Sequence, residues 1–249
     1  MFAPLSPTDC HICLASVDDF RDQVESLAGL LVPDEVRRAS RYAFDKDHHA
    51  FVIGRSLVRT LLGSYLSLPP QDVPIAFNGY GKPLLDTGKQ SGTPHFNVSH
   101  SADRVLVAFC TSNEIGVDIE HIRPVKNMAE LAQRFFSNRE ASQVMQSSDQ
   151  EIASTFFTVW TQKEAYIKAR GRGLSLPLDE FDVPLEASDA MTWQPVQSRD
   201  AESSWFVQVI PTPESFAGAI AAPVRTLNIH QWTCLPAEPF QFVKATPGP

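Results

Sequence analysis

Ile115-Gly-Val-Asp-Ile-Glu120 alternates apolar and acidic side chains with a period of two, the pattern of a strand with one buried face. On such a strand Asp118 and Glu120 point the same way, about 7 Å apart along the backbone, while Val117 and Ile119 point to the core. Two carboxylates held that close repel unless a cation or a basic group lies between them. A solvated strand end with ordinary polar alternation accounts for the same residues without chemistry, so the segment alone does not decide a function.

Working outward, His95–Val98 and Val105–Cys110 read as two strands that run into this one, and residues 11–17 read as a first strand. Asp34, after Pro33, is the expected N-cap of a helix running to about Phe44. Val52, Leu57, Val58, Leu61 and Leu62 give Asp47–Tyr65 a helical apolar stripe. Gly88–Pro94 reads as a loop. On the other side, one helix is expected from Met128 to about Met145, and a longer one from about Gln150 to Arg170, stopped by Gly171. Phe181–Leu185, Trp205–Ile210 and Phe216–Ala222 follow as strands, and the proline-rich tail from Pro236 is expected to be irregular. Val105-Leu-Val-Ala-Phe109 and Ala217-Gly-Ala-Ile-Ala221 are similar closing strands, one in each half. The chain therefore reads as α+β, with an internal repeat dividing it into residues 1–114 and 115–249.

Composition narrows the function classes. The chain has 249 residues, 43% hydrophobic and 20% charged, as in an ordinary globular protein. No apolar run approaches the roughly 18 residues of a membrane span. The N-terminus lacks the charged and apolar regions of a secretory signal, so a cytoplasmic enzyme is expected, without membrane partners. A net charge of −8 argues against nucleic acid as a ligand. Yet Arg37, Arg38, Arg41, Lys46, Arg55 and Arg59 face only Asp45 and Asp47 between residues 37 and 59. A basic patch on an acidic protein suits a compact anion. Cys10 and Cys13 have the spacing of half a zinc site, but no second pair follows.

Two more constellations carry possible chemistry. In Phe157-Thr-Val-Trp-Thr-Gln-Lys-Glu-Ala-Tyr-Ile-Lys168 one helical stripe, including Phe156, Trp160, Lys163 and Ile167, reads as mostly core. Glu164 and Lys168 are neighbours on the adjacent stripe, either a surface ion pair of little consequence or a buried carboxylate that a cation would partner. In Phe96-Asn-Val-Ser-His-Ser101 the residues Ser99, His100 and Ser101 offer donors for phosphate oxygens, and Lys82 in Tyr80-Gly-Lys82 offers a point charge. A polar turn is the plainer account. There is no Gly-x-Ser-x-Gly elbow, Walker A loop or Gly-x-Gly-x-x-Gly.

Taken together, Tyr80-Gly-Lys-Pro83, Phe96–Ser101, Ile115–Glu120, Arg134-Phe-Phe136, Trp160-Thr-Gln-Lys-Glu-Ala165 with Lys168, and Gly171-Arg-Gly-Leu-Ser-Leu-Pro-Leu178 resemble the 4′-phosphopantetheinyl transferases, in particular the surfactin-synthetase-activating, Sfp-type branch. The resemblance covers about residues 30–185. It implies a pseudo-dimer of two similar α/β halves with coenzyme A in the cleft between them. It also implies transfer of the 4′-phosphopantetheine group to a serine of an apo acyl or peptidyl carrier protein, with release of 3′,5′-ADP. By that resemblance Asp118, Glu120 and Glu164 hold magnesium, or manganese in its place, on the pyrophosphate. Arg38, Arg41, Lys82, Ser99, His100 and Lys168 bind the coenzyme, and Glu164 and Lys168 are the catalytic residues. The chain is expected to act as a monomer. Phe135 and Phe136 are either part of a carrier-docking surface or plain core. Glu35 departs from the branch, which often carries lysine there. A metal-dependent phosphohydrolase and a non-catalytic coenzyme A or carrier-binding module are the other classes these residues allow.

Overall fold

The computed structural model describes residues 4–88, 92–185, 192–198 and 204–245. Residues 89–91, within the expected loop at Gly88–Pro94, and the last part of the expected tail lie outside them. The chain forms two compact units. Among the described residues, the first comprises those up to Phe77, Pro83–Ser112 and those from Leu227 onward; the second comprises Asn78–Lys82 and those between Asn113 and Thr226.

In the first unit the elements are β1 (Asp9–Ser16), α1 (Val24–Ala28), α2 (Pro33–Ala39), α3 (Asp45–Leu66), β2 (Ile75–Phe77), β3 (Pro83–Leu85), β4 (His95–Ser101) and β5 (Arg104–Cys110). In the second they are β6 (Gly116–His121), α4 (Met128–Phe135), α5 (Asn138–Gln146), α6 (Ile152–Arg170), β7 (Phe181–Asp182), β8 (Gln194–Pro195), β9 (Gln197–Ser198), β10 (Phe206–Val209) and β11 (Phe216–Ala222). Then β12 (Asn228–Pro236) and β13 (Phe240–Lys244) return to the first unit.

The first sheet runs β13-β12-β1-β5-β4, and its only parallel pairing among the described residues is β1 with β12. The second runs β6-β11-β10-β8, all antiparallel. The order β1-β5-β4 in one unit and β6-β11-β10 in the other is the same: first, last and penultimate strand of the runs β1–β5 and β6–β11. A long helix packs on each set. Gly54 of α3 lets that helix approach Val98 and Val105, and α6 lies against β6 and β11. The similarity between the strands at 105–109 and 217–221 thus has a topological counterpart.

Four expectations need correction. Pro33, not Asp34, opens α2: Val32 is the cap residue and its N–H donates to Glu35 Oε2 at 3.2 Å. Proline suits the first helical position because it has no amide hydrogen to leave unpaired. The helix stops at Ala39 rather than Phe44.

The single helix expected from Met128 to Met145 is two. Phe136 and Ser137 are extended, with ψ near 163° and 161°. The Ser137 hydroxyl accepts from Glu140 N–H while Glu140 Oε2 accepts from Ser137 N–H, a reciprocal cap that starts a new helix.

The strand at 181–185 is only Phe181–Asp182. Finally, the tail from Pro236 is not irregular throughout: Phe240–Lys244 forms β13, which pairs with β12. The described residues from Leu227 onward belong to the first unit rather than to the half that begins at 115, and β12 pairs with β1 over seven residues.

The core of the second unit gathers Phe156, Phe157, Val159, Ala165, Tyr166 and Ile167 of α6 against Ala217, Ala219 and Ala221 of β11. Fully burying one such aromatic or aliphatic side chain contributes about 1.5–3 kcal/mol. Phe136 belongs to this core, 3% exposed and packed on Phe156 and Trp160. Phe135 is half-buried, edge-on to Trp160. The plain-core account of these two residues is the one the packing supports.

Candidate active site

The strand reading of Ile115–Glu120 places the site. Gly116, Asp118 and Glu120 alternate along β6 on the face that α6 covers, opposite Ala221, Ala219 and Ala217 of β11. Small residues on both strands let the helix come close. A Cβ on Gly116 would lie 2.1 Å from Ala165 O and 2.3 Å from Ala169 N, so only glycine fits beneath this part of α6. That approach sets Lys168 over the strand: its Nζ donates to Asp118 Oδ1 at 2.6 Å, and the Asp118 side chain is 5% exposed.

Glu164 stands one turn earlier on α6, half-buried. Its carboxyl pKa is raised, first by burial and then by the charges of Asp118 and Glu120, with Lys168 opposing. The three carboxylates that the sequence singled out are therefore electrostatically coupled. Glu120 Oε2 also meets Arg123 Nη1 at 3.7 Å. Among the described residues, no three such ligands stand close enough to hold an ion on their own. The donor set is nonetheless of hard oxygens whose mutual repulsion Lys168 and Arg123 offset only in part, since the Glu164 pKa stays raised, and such a set suits a divalent cation whose remaining ligands come from elsewhere.

Beside Glu164, Lys163 points the other way and is fully buried. It pairs with Glu140 Oε2 at 2.7 Å and donates to the carbonyls of Leu178 and Phe181 at 2.7 and 2.6 Å. Glu140 Oε1 accepts from Val183 N–H at 2.8 Å. The Lys163–Glu140 pair thus ties α6, α5 and the 178–183 segment together. Breaking such a pair by removing one partner typically costs 3–5 kcal/mol. Sequence reasoning had placed Lys163 in the core stripe but supplied it no partner.

Lys82 belongs to the second unit, where its Nζ donates to Ile115 O and Ala169 O, each at 3.1 Å. Asn78 Nδ2 donates to Gly171 O at 2.9 Å. The Tyr80-Gly-Lys82 turn thereby fastens the start of β6 and the end of α6, whose last carbonyls have no helical partners. Burial lowers the Lys82 pKa to about 8, against the attraction of Glu114.

In the first unit, Ser99 and His100 are adjacent on β4, so their side chains point to opposite faces of the sheet. Ser99 is buried and His100 exposed. They do not offer their side chains to one anion from the same side, as a strand-end cluster would. Arg38 and Arg41 are exposed and line a pocket of about 570 Å³ with Asp34, Arg37 and Tyr42. The basic patch read from the sequence is therefore a concavity. Glu35 turns inward: Arg59 takes both of its oxygens, Nε to Oε2 at 2.6 Å and Nη2 to Oε1 at 3.0 Å.

The second unit sets three coupled carboxylates and a lysine on one helix–strand face. Residues 114–221 match the 4′-phosphopantetheinyl transferase superfamily, and residues 18–112 match the N-terminal domain of 4′-phosphopantetheinyl transferases. The chain is 33% identical over 215 residues to the 4′-phosphopantetheinyl transferase HetI of Nostoc sp., covering 86% of this chain and 88% of that one. It is 30% identical to Sfp of Bacillus subtilis, covering 81% and 86%, and 30% identical to psf-1 of Bacillus pumilus, covering 90% and 94%. The chain belongs to the 4′-phosphopantetheinyl transferase family, Sfp-type branch. It is an enzyme of the transferase class.

Proposed function

We propose that this enzyme transfers the 4′-phosphopantetheine moiety of coenzyme A to a serine of an apo acyl or peptidyl carrier protein, releasing 3′,5′-ADP. The observation that carries the reading is the Lys168–Asp118 contact at 2.6 Å beside a Glu164 carboxyl held protonated more readily than usual. Arg38, Arg41, Lys82, Ser99 and His100 bind the coenzyme together with Lys168; Lys82 does so while anchored on its two carbonyls. Asp118, Glu120 and Glu164 would hold magnesium, with manganese as a substitute. When bound, the metal offsets the charge that grows on the pyrophosphate as it breaks.

The carrier serine oxygen attacks the phosphorus that bears pantetheine, and the bond from that phosphorus to the bridging oxygen breaks. Glu164, directly or through water, takes the serine proton. Lys168 stabilises or protonates the leaving phosphate. A pseudo-dimer with a shared ligand cleft, action as a monomer and a cytoplasmic location are parts of the same reading.

The test is incubation with coenzyme A, magnesium and a panel of apo carrier domains, read by intact mass. Gain of one phosphopantetheine on a carrier serine is expected. Cleavage of coenzyme A without any gain on a carrier would assign a phosphohydrolase instead.

A further inference from the structure

The first unit holds a buried cation with one donor atom unused. Arg55, on α3, is 9% exposed, and its Nη1 has no hydrogen-bond partner. Its Nε meets Glu35 Oε1 at 3.4 Å, but Glu35 is already committed to Arg59 through both oxygens. Arg59 is fully engaged, with Nη1 also donating to Pro70 O at 2.9 Å and Val73 O at 3.1 Å. One carboxylate therefore serves two buried guanidiniums, and a positive charge is left over. An unsatisfied buried donor is destabilising, and more so when charged.

The surplus charge sits beside Arg38. The two guanidinium carbons lie 5.8 Å (Arg55) and 5.4 Å (Arg38) from the centre of the Phe51 ring, and both lie 5.9 Å from that of Phe77. Like charges on the same two rings repel: burial lowers the Arg55 pKa most, Glu35 opposes it, and Arg59 and then Arg38 lower it further. Arg38 in turn lines the open pocket with Arg37 and Arg41, where Asp34 pairs with Arg37. A doubly charged anion reaching in from that pocket would relieve the repulsion and occupy the idle Nη1. Arginine forks match phosphate oxygens in shape as well as charge.

We propose that Arg55 is an anion-binding residue that holds a phosphate monoester dianion together with Arg38; resting on the coenzyme A reading above, that dianion is the ligand's 3′-phosphate. Glu35 then serves as the internal counter-ion that keeps Arg55 and Arg59 in place, and it does not oppose the ligand.

The experiment is titration calorimetry of the full chain and of Arg55→Met with coenzyme A and with 3′-dephospho-coenzyme A. Arg55→Met is expected to weaken coenzyme A at least fivefold while leaving the dephospho compound within twofold. Equal changes for the two ligands, or none, overturn the proposal, because a merely structural role would not distinguish them. Should Arg55→Met fail to fold, Arg55→Lys keeps the charge near Glu35 but loses the fork, and a selective loss of at least threefold is expected. Where the wild type binds no coenzyme A, the enzymatic reading falls and inorganic phosphate becomes the probe. Weaker phosphate binding in the variant then upholds Arg55, and unchanged or absent phosphate binding overturns it.

Discussion

Lys168 Nζ donates to Asp118 Oδ1 at 2.6 Å, joining the last turn of α6 to the middle of β6. The carboxylate is almost wholly buried and the ammonium about a quarter exposed, so the pair is worth more than a surface bridge and less than a sealed one. Lys168→Met leaves Asp118 buried beside Glu164 with less compensation. It is expected to cost about 1–3 kcal/mol. In Asp118→Asn/Lys168→Met the loss should be smaller than the sum of the single losses. Urea denaturation of the four proteins measures this, and strict additivity would refute the coupling.

Gly116 supplies the close approach on which that contact depends. A methyl group there meets backbone atoms of Ala165 and Ala169 at 2.1 and 2.3 Å, and backbone cannot rotate aside as a side chain can. Overpacking a core ordinarily costs about 1–3 kcal/mol, and this clash lies at or beyond the upper end. Gly116→Ala is expected to lower the thermal midpoint sharply, or to prevent folding, and any folded fraction should lose transfer activity as α6 lifts from β6. A variant as stable and active as wild type would show that α6 is not held by this contact.

Much of this was legible because periodicity survives folding. Alternation along Ile115–Glu120 fixed which side chains share a face, and α6 ends at Gly171 in the left-handed conformation the sequence implied. The helix break at Ser137 was missed, although Ser137-x-x-Glu140 is a capping signature, because the apolar residues continue across it. The return of β12 to β1 joins residues more than two hundred positions apart, and no local pattern encodes such a pairing. At the candidate site, spacing singled out Asp118, Glu120, Glu164 and Lys168, which the fold brings to one helix–strand face. It could not show that Lys168 reaches across to β6, nor that Ser99 and His100 diverge, since both depend on packing and strand geometry.

Lys82 gives a pH signature. Its folded-state pKa, about 8, lies below the ordinary lysine value near 10.4. Between those values the unfolded chain holds a proton that the folded one has released, so this group's contribution to stability rises with pH across that window. Below pH 8 the buried ammonium carries its full desolvation penalty. The stability of wild type relative to Lys82→Met is therefore expected to increase from pH 7 to pH 10. Denaturant midpoints at four pH values would reveal it, and a difference independent of pH would exclude the shifted amine.

The proposed metal site makes transfer dependent on a divalent cation, and that is testable. Chelation with EDTA should abolish transfer to an apo carrier, and magnesium or manganese should restore it. Asp118→Ala is expected to fold yet remain inactive at any metal concentration. Full activity in that variant would remove Asp118 from the site.

Glu164 admits two roles that one substitution separates. As a ligand only, its loss would weaken metal binding, and raised magnesium would recover most of the rate. As the proton acceptor, its loss removes on the order of 10²–10⁴ in rate that metal cannot return. A serine hydroxyl does not ionise at neutral pH, so some acceptor must assist it. Burial and the nearby Asp118 and Glu120 charges raise the proton affinity of Glu164, with Lys168 opposing, and this supports the acceptor role. Glu164→Gln keeps the shape and one ligating oxygen but does not readily accept a proton. Coenzyme A binding is expected to stay near normal, with a rate loss in that range unrelieved at saturating magnesium. Single-turnover transfer across a magnesium titration decides it, and recovery to within a few-fold of wild type would pass the base role to water.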